Sequence, residues 1–354
     1  MPLKHNRIQA IIELGNNFRS LMNGTVDSEL QQEFTSAVAQ SNSLNPWFTP
    51  KSIDRAFREW SRILTAEKIN QWADQYEIAS DNTNLKVGVI NAGNIPLVGL
   101  HDLLTVVLSG HDYVGKNASN DSTLLPFVAR LLIKAEPKLV DRILFVPVLK
   151  EIDAVIATGS NNSARYFDYY FSKYPNIIRM NRNGIGVLNG NETKEELIAL
   201  GEDIFTYFGL GCRNISKVYV PPGYIFNDFF ESVFSFNEVM QMHKYMNNFE
   251  YNNSVLLLKQ IPFLQNGFLI IREENSIPSP VSILHYEYYD GSEQLERVLL
   301  GQKDQLQCIA TSAFKFESKE LNGISLQFGK TQSPELADYA DGVDTLRFLT
   351  ELKS

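Results

Sequence analysis

Cys212 is one of only two cysteines in the chain and stands in the stretch FGLGCRN, with Gly209 and Gly211 before it and Arg213 after it. With so few cysteines, this thiol is not part of a disulfide framework. Glycines let another molecule approach the backbone closely, and a guanidinium favours the thiolate, the nucleophilic form. The stretch therefore offers a covalent nucleophile. The plainer alternative, a small buried apolar residue, is the commoner fate of a free cysteine. Asn94 lies in GVINAGNIP, after a strand-like run and a glycine. Its amide can donate to an oxyanion or cap a helix. Thr158, Gly159 and Ser160 lead from an apolar run into a helical one. Backbone N–H groups at such a place suit a phosphate, and an ordinary strand-to-helix turn fits as well. Lys116, in YVGKNAS, adds a cation at the end of another apolar run.

The remaining reactive residues read as structural. Cys308, in LQCIATS, reads as core. His101 and His111 have no metal-ligand spacing to join them. The aromatic stretches RYFDYYFSKY and HYEYYD read as core and interface, with a wall for an apolar substrate as the alternative.

Two kinds of element must position these residues. Up to about Ser80 apolar residues recur at spacings of three and four, as in Phe57, Trp60, Ile63 and Leu64, which predicts helices. Thr49, Ser52 and Asp54 around Pro50 offer helix-start chemistry. From Leu85 the texture changes to short apolar strands (LKVGVIN, DAVIAT, NIIRMN, IGVLNG) alternating with helices such as IPLVGLHDLLTVVLSG. That alternation predicts parallel sheets covered by helices. Thr193 to Glu196 reads as a capping box opening another helix, and further strands follow in GFLIIREE, SPVSILHYEYY, LQCIATS and ISLQFG.

With 354 residues, 44% hydrophobic and 21% charged, the chain is long enough for two or three domains. A net charge of −9 argues against a general nucleic-acid binder, which needs a basic surface. The start, MPLKHNRIQAIIELG, is not a signal peptide, and no apolar run approaches the ~20 residues of a membrane span. Together with the two cysteines, this leads us to expect a cytoplasmic protein.

The order of amide loop, lysine loop, Gly-Ser turn and cysteine resembles the aldehyde dehydrogenase superfamily over roughly Leu85 to the C-terminus. The resemblance implies two Rossmann-type α/β domains, one for cofactor and one for catalysis, with a helical N-terminal region. We expect boundaries at 1–84 (helical region), 85–192 (cofactor), 193–330 (catalytic) and 331–354 (tail). It implies Cys212 as nucleophile and Asn94 as oxyanion donor. It places Lys116 on the cofactor ribose, and Thr158, Gly159 and Ser160 at its pyrophosphate. RNGIGVLNGNET, SPVSILHYEYYD and DYADGVDTLRFL are similar to the acyl-CoA reductase branch, related to the bioluminescence fatty-acid reductase subunit.

Three departures sharpen this. The glutamate base that hydrolyses the thioacyl enzyme in oxidising members falls near Ile178, where there is no carboxylate. A second glutamate, on the nicotinamide ribose, falls near Ser276, with Glu273 and Glu274 close by. A third, which reads the adenosine ribose, falls at Ser119. A neutral Ser119 beside Lys116 implies NADPH, with NADH as the alternative. The expected activity is reduction of an acyl-CoA, fatty acyl by preference, to the aldehyde through a thioacyl-cysteine. The alternatives are an acyl-phosphate reductase and an inactive relative acting as a binding protein. The superfamily's pairing hairpin is not recognisable, so we expect a monomer or dimer, with an acyl-donor protein as a further partner.

Overall fold

The computed structural model describes residues 3–81, 85–159, 161–312 and 314–352. The chain forms two compact units, 1–180 with 335–354, and 181–334.

The first unit opens with four helices, α1 (Leu3–Met22), α2 (Ser28–Leu44), α3 (Pro50–Ile63) and α4 (Ala66–Ala73). Each later start has its cap: Asp27 accepts from Leu30 N–H, Thr49 from Ser52 N–H with Pro50 just inside, and Thr65 from Lys68 N–H. Such caps are worth about 1 kcal/mol each. Gly15 lets α1 touch the end of α3, since a Cβ there would lie 2.0 Å from the Leu64 carbonyl oxygen. Five parallel strands follow: β1 (Lys86–Ile90), β2 (Asp112–Lys116), β3 (Ile143–Phe145), β4 (Ala154–Thr158) and β5 (Asn176–Arg179), in spatial order β3-β2-β1-β4-β5. The helices between them are α5 (Leu100–Ser109), α6 (Leu124–Ala135) and α7 (Asn161–Phe171).

The second unit holds a seven-stranded sheet. Its strands are β6 (Asn183–Val187), β7 (Ile215–Val220), β8 (Leu264–Gln265), β9 (Ile270–Glu273), β10 (Ile283–Tyr288), β11 (Leu306–Thr311) and β12 (Ser325–Leu326), in order β12-β11-β6-β7-β10-β9-β8. All pairs are parallel except β8 with β9. Helix α8 (Lys194–Phe205) starts with the expected capping box of Thr193 and Glu196. Short α9 (Asn227–Ser232) and long α10 (His243–Leu258) follow.

The domain boundaries differ from those expected. β6 pairs with β7 and β11, so the second unit starts before residue 192. Of the tail expected over 331–354, residues 335–354 belong to the first unit together with the N-terminal helices. Trp72 Nε1–H donates to Tyr339 (2.7 Å), the Leu336 and Leu349 carbonyls bond His101 and His111, and Glu335 pairs with Lys68 (2.7 Å) and Arg62. Both histidines are thus structural. Arg179 at the end of β5 makes a buried bidentate pair with Asp102 (2.7 and 2.9 Å) and donates to Thr345. The aromatic stretch on α7 splits: Phe167 and Phe171 pack inward, while Tyr166, Tyr169 and Tyr170 are exposed and form no core. Among the described residues no helix is long and apolar enough to cross a membrane.

Candidate active site

Cys212 is exposed, in the short connection between α8 and β7. This loop enters the amino end of a strand, whereas ligand loops were expected at carboxyl ends. The chain leaves α8 through three successive left-handed residues, Tyr207 (φ 52°), Phe208 (φ 58°) and Gly209 (φ 78°). Glycine accepts this conformation freely, while each bulky residue costs about 1–3 kcal/mol. Gly209 therefore serves the backbone path rather than room for a ligand.

What holds the strained turn is Asn214. Its Nδ2 donates to the carbonyls of Asp203 (3.0 Å), Ile204 (3.3 Å) and Thr206 (2.8 Å), groups left open where α8 ends. Its Oδ1 accepts from Gly211 N–H (2.8 Å), and its own N–H donates to the Gly211 carbonyl. One buried amide thus ties both sides of Cys212 together. The Gly211 and Asn214 N–H groups are committed inside the loop, so neither is open to a substrate oxyanion. Beneath the loop, Gly184 on β6 leaves space for it: a Cβ there would lie 2.8 Å from the Arg213 carbonyl oxygen and 3.0 Å from that of Asn214.

Cys308 on β11 is buried, and its thiol donates to the Arg213 carbonyl (3.7 Å). Burial pushes it up to about 12, so it stays a thiol and is core, as expected. The Asp203 carboxyl on α8 is also buried. It accepts from Gly329 N–H (2.6 Å), Thr331 N–H (3.1 Å) and Thr331 Oγ1 (2.8 Å), fastening the 329–331 segment to the helix. Burial pushes it up to about 6 against those hydrogen bonds. The sequence reading missed Asn214, Gly184 and Asp203. A small amide between a helix end and a strand start was the one available signal.

The other candidates lie in the first unit. Register sets Ile90 of β1 beside Lys116 of β2 and Ala157 of β4, so Lys116, Thr158 and Gly159 share the carboxyl edge of three adjacent strands. Ser160 lies outside the described residues. Asn94 is exposed on the loop after β1 and caps no helix, because residues 96–99 form a turn and α5 starts only at Leu100, with Gly99 at its cap. Pro96 and the left-handed Leu97 (φ 58°) break the expected longer helix. The Asn94 loop is fixed through Gly93, whose carbonyl accepts from Asn45 and Asn120 (both 3.2 Å). A Cβ on Gly93 would strike Asn120 and Ala118, so the loops after β1 and β2 interlock there. Ser119 is exposed on the second of these loops.

No family model and no curated protein is similar to this chain. Solved structures are. The aldehyde dehydrogenase KauB from Pseudomonas aeruginosa matches over 97% of this chain and 80% of its own, with a TM-score of 0.62 at 14% identity. An indole-3-acetaldehyde dehydrogenase solved with NAD+ matches over 97% and 80%, with a TM-score of 0.64 at 13% identity. An NAD-dependent aldehyde dehydrogenase from Sinorhizobium meliloti matches over 92% and 72%, with a TM-score of 0.61 at 11% identity. The fold is that of the aldehyde dehydrogenases.

The strand order reverses between β1 and β4, and such a switch point opens a crevice for nucleotides. Gly159 lets α7 pack close to the turn, since a Cβ there would lie 2.8 Å from the Phe167 ring and 2.9 Å from Ser163 Cβ. Lys116 brings a cation to the same edge.

Proposed function

We propose that this protein is an NAD(P)H-dependent acyl-CoA reductase. The observation that carries it is an exposed cysteine, held on an anchored loop of an aldehyde dehydrogenase fold, in a chain with no carboxylate near Ile178, where the resemblance sets the hydrolytic base. Residues 176–191 contain no Asp or Glu, and the charged group on β5, Arg179, is locked on Asp102. The Cys212 thiolate attacks the thioester carbonyl, CoA leaves as the thiol, and an acyl group stays on sulfur. The sequence resemblance assigns the oxyanion to Asn94; one such donor is worth about 3 kcal/mol. Without a carboxylate at the position that the resemblance gives the base, the thioacyl enzyme hydrolyses slowly and persists long enough to be reduced.

Lys116, Ser119, Thr158, Gly159 and Ser160 are the residues assigned to the dinucleotide, which when bound supplies the hydride. NADPH is the expected preference, because Ser119 presents no carboxylate to a 2′-phosphate and Lys116 is nearby in sequence. Turnover with each cofactor in competition checks that choice.

The deciding experiment is intact mass after mixing with acyl-CoA and no cofactor. Wild type and Cys308→Ala should gain one acyl group, and Cys212→Ala none. An adduct that survives Cys212→Ala would sink the mechanism. Acylation by an acyl phosphate but not by acyl-CoA would move the protein to the acyl-phosphate reductases.

A further inference from the structure

Asp203 is a poor residue for its own helix. It stands in the last turn of α8, beside Glu202, where the helix dipole disfavours negative charge. It is also buried, and a buried carboxylate is costly unless it is hydrogen-bonded. Gly329 N–H (2.6 Å), Thr331 N–H (3.1 Å) and Thr331 Oγ1–H (2.8 Å) offset that cost. All of them come from one strap, residues 329–331. The strap lies against α8: a Cβ on Gly329 would sit 3.1 Å from Ala199 Cβ, about one turn before Asp203, and Thr331 is fully buried.

The same residue also carries the Cys212 loop. Its carbonyl accepts from Asn214 Nδ2 (3.0 Å), and Asn214 Oδ1 accepts from Gly211 N–H (2.8 Å), so these bonds close across Cys212. The other carbonyls that Asn214 holds, of Ile204 and Thr206, belong to the same helix end. Helix ends fray unless something holds them. Here the chain leaves the helix through the left-handed Tyr207 and Phe208, which adds strain to that end. The strap thus reaches Cys212 through one residue: side chain to strap, main chain to Asn214, and Asn214 to Gly211.

We infer that Asp203 is a positioning residue for Cys212, pinning the end of α8 to the 329–331 strap so that the carbonyls on which Asn214 hangs stay in place. This rests on the reading of Cys212 as the acylated residue. Without the carboxylate the helix end loosens, Asn214 follows it, and the thiol loses its fixed approach to a thioester carbonyl. A misplacement of about 1 Å at a reacting atom costs up to ~10²-fold.

The test compares variants with wild type by hydrogen exchange at the Gly211 and Asn214 amides and by the rate of Cys212 acylation with acyl-CoA, read by intact mass. Asp203→Ala removes every bond to the strap. It should speed exchange at both amides and slow acylation by about tenfold or more. The fall should lie in the maximal rate, not in the acyl-CoA concentration that gives half of it. Thr331→Val removes one bond and should act in the same direction, less strongly. Thr331→Ser keeps the hydroxyl and should restore most of that loss. Asn252→Ala breaks a bond to the Val281 carbonyl elsewhere in the unit (2.9 Å) and should leave both amides and the rate as in wild type. Should Asp203→Ala not fold, the Thr331 pair decides. If exchange and rate stay unchanged without the strap bonds, or if Asn252→Ala moves them as much, the carboxyl serves stability alone and the inference fails. A wild-type protein that takes up no acyl group would instead overturn the reading of Cys212, and amide exchange would still decide whether Asp203 holds the loop.

Discussion

Two buried polar side chains bear on the Cys212 loop and on the loop after β2. Asn214 holds three carbonyls and one N–H at once, so its removal strands groups that cost about 1–3 kcal/mol each when unsatisfied. Some of them will find water, so Asn214→Ala should lose about 2–4 kcal/mol in urea unfolding and slow Cys212 acylation. Asn214→Asp keeps the acceptor for Gly211 but faces the three carbonyls with a charge, and should be no better. Unchanged unfolding in both variants would mean that the turn is held by other contacts. Asp121, two residues past Ser119, is buried with Oδ1 unpartnered, and burial pushes it from 3.8 up to about 7. Its folded value lies above its unfolded one, so its contribution is present below pH ~4 and is lost as pH rises through ~7. Asp121→Asn removes that loss. At about 1.4 kcal/mol per pH unit, the variant's advantage should grow by about 2 kcal/mol between pH ~5.5 and ~8.5. A pH-independent difference would show that Asp121 is solvated.

At the scale of elements, β6 acts as the floor of the Cys212 loop. Gly184 lies under the Arg213 and Asn214 carbonyls with no room for a methyl group, and the atoms it would strike are backbone. Gly184→Ala must therefore push the loop rather than rotate a side chain. Overpacking of this kind costs about 1–3 kcal/mol. We expect at least a tenfold slower acylation of Cys212, read by intact mass over time. An unchanged rate would show that the loop tolerates displacement. The match of fold to sequence is closest where local rules are strict. The capping box at Thr193 and Glu196 and the apolar strands β1 and β4 form where expected. The turn after β1 was misread as helix, because apolar spacing alone does not register the backbone break at Pro96 and Leu97.

For the whole molecule, the open question with the clearest measurement is assembly. Among the described residues the only antiparallel strand pair is β8 with β9, at the edge of the second sheet, and none lies in the N-terminal helices. With no pairing hairpin there, we expect a monomer or a dimer. Light scattering that returned a stable tetramer would overturn this.

The sequence by itself determined the fold class and offered Cys212, Lys116 and Gly159 as candidates, because strand and helix periodicity and the types of reactive residues are local properties. Tertiary structure decided the rest. Whether Cys212 is exposed while Cys308 is buried depends on which strand each enters, β7 after an open turn or β11 within the sheet. That Asn214 clamps the loop, that Gly184 must be small, and that Asp203 grips the 329–331 segment depend on partners distant in the chain or on strand register. Such contacts leave no periodic trace in the sequence, since they are fixed only when the strands pair.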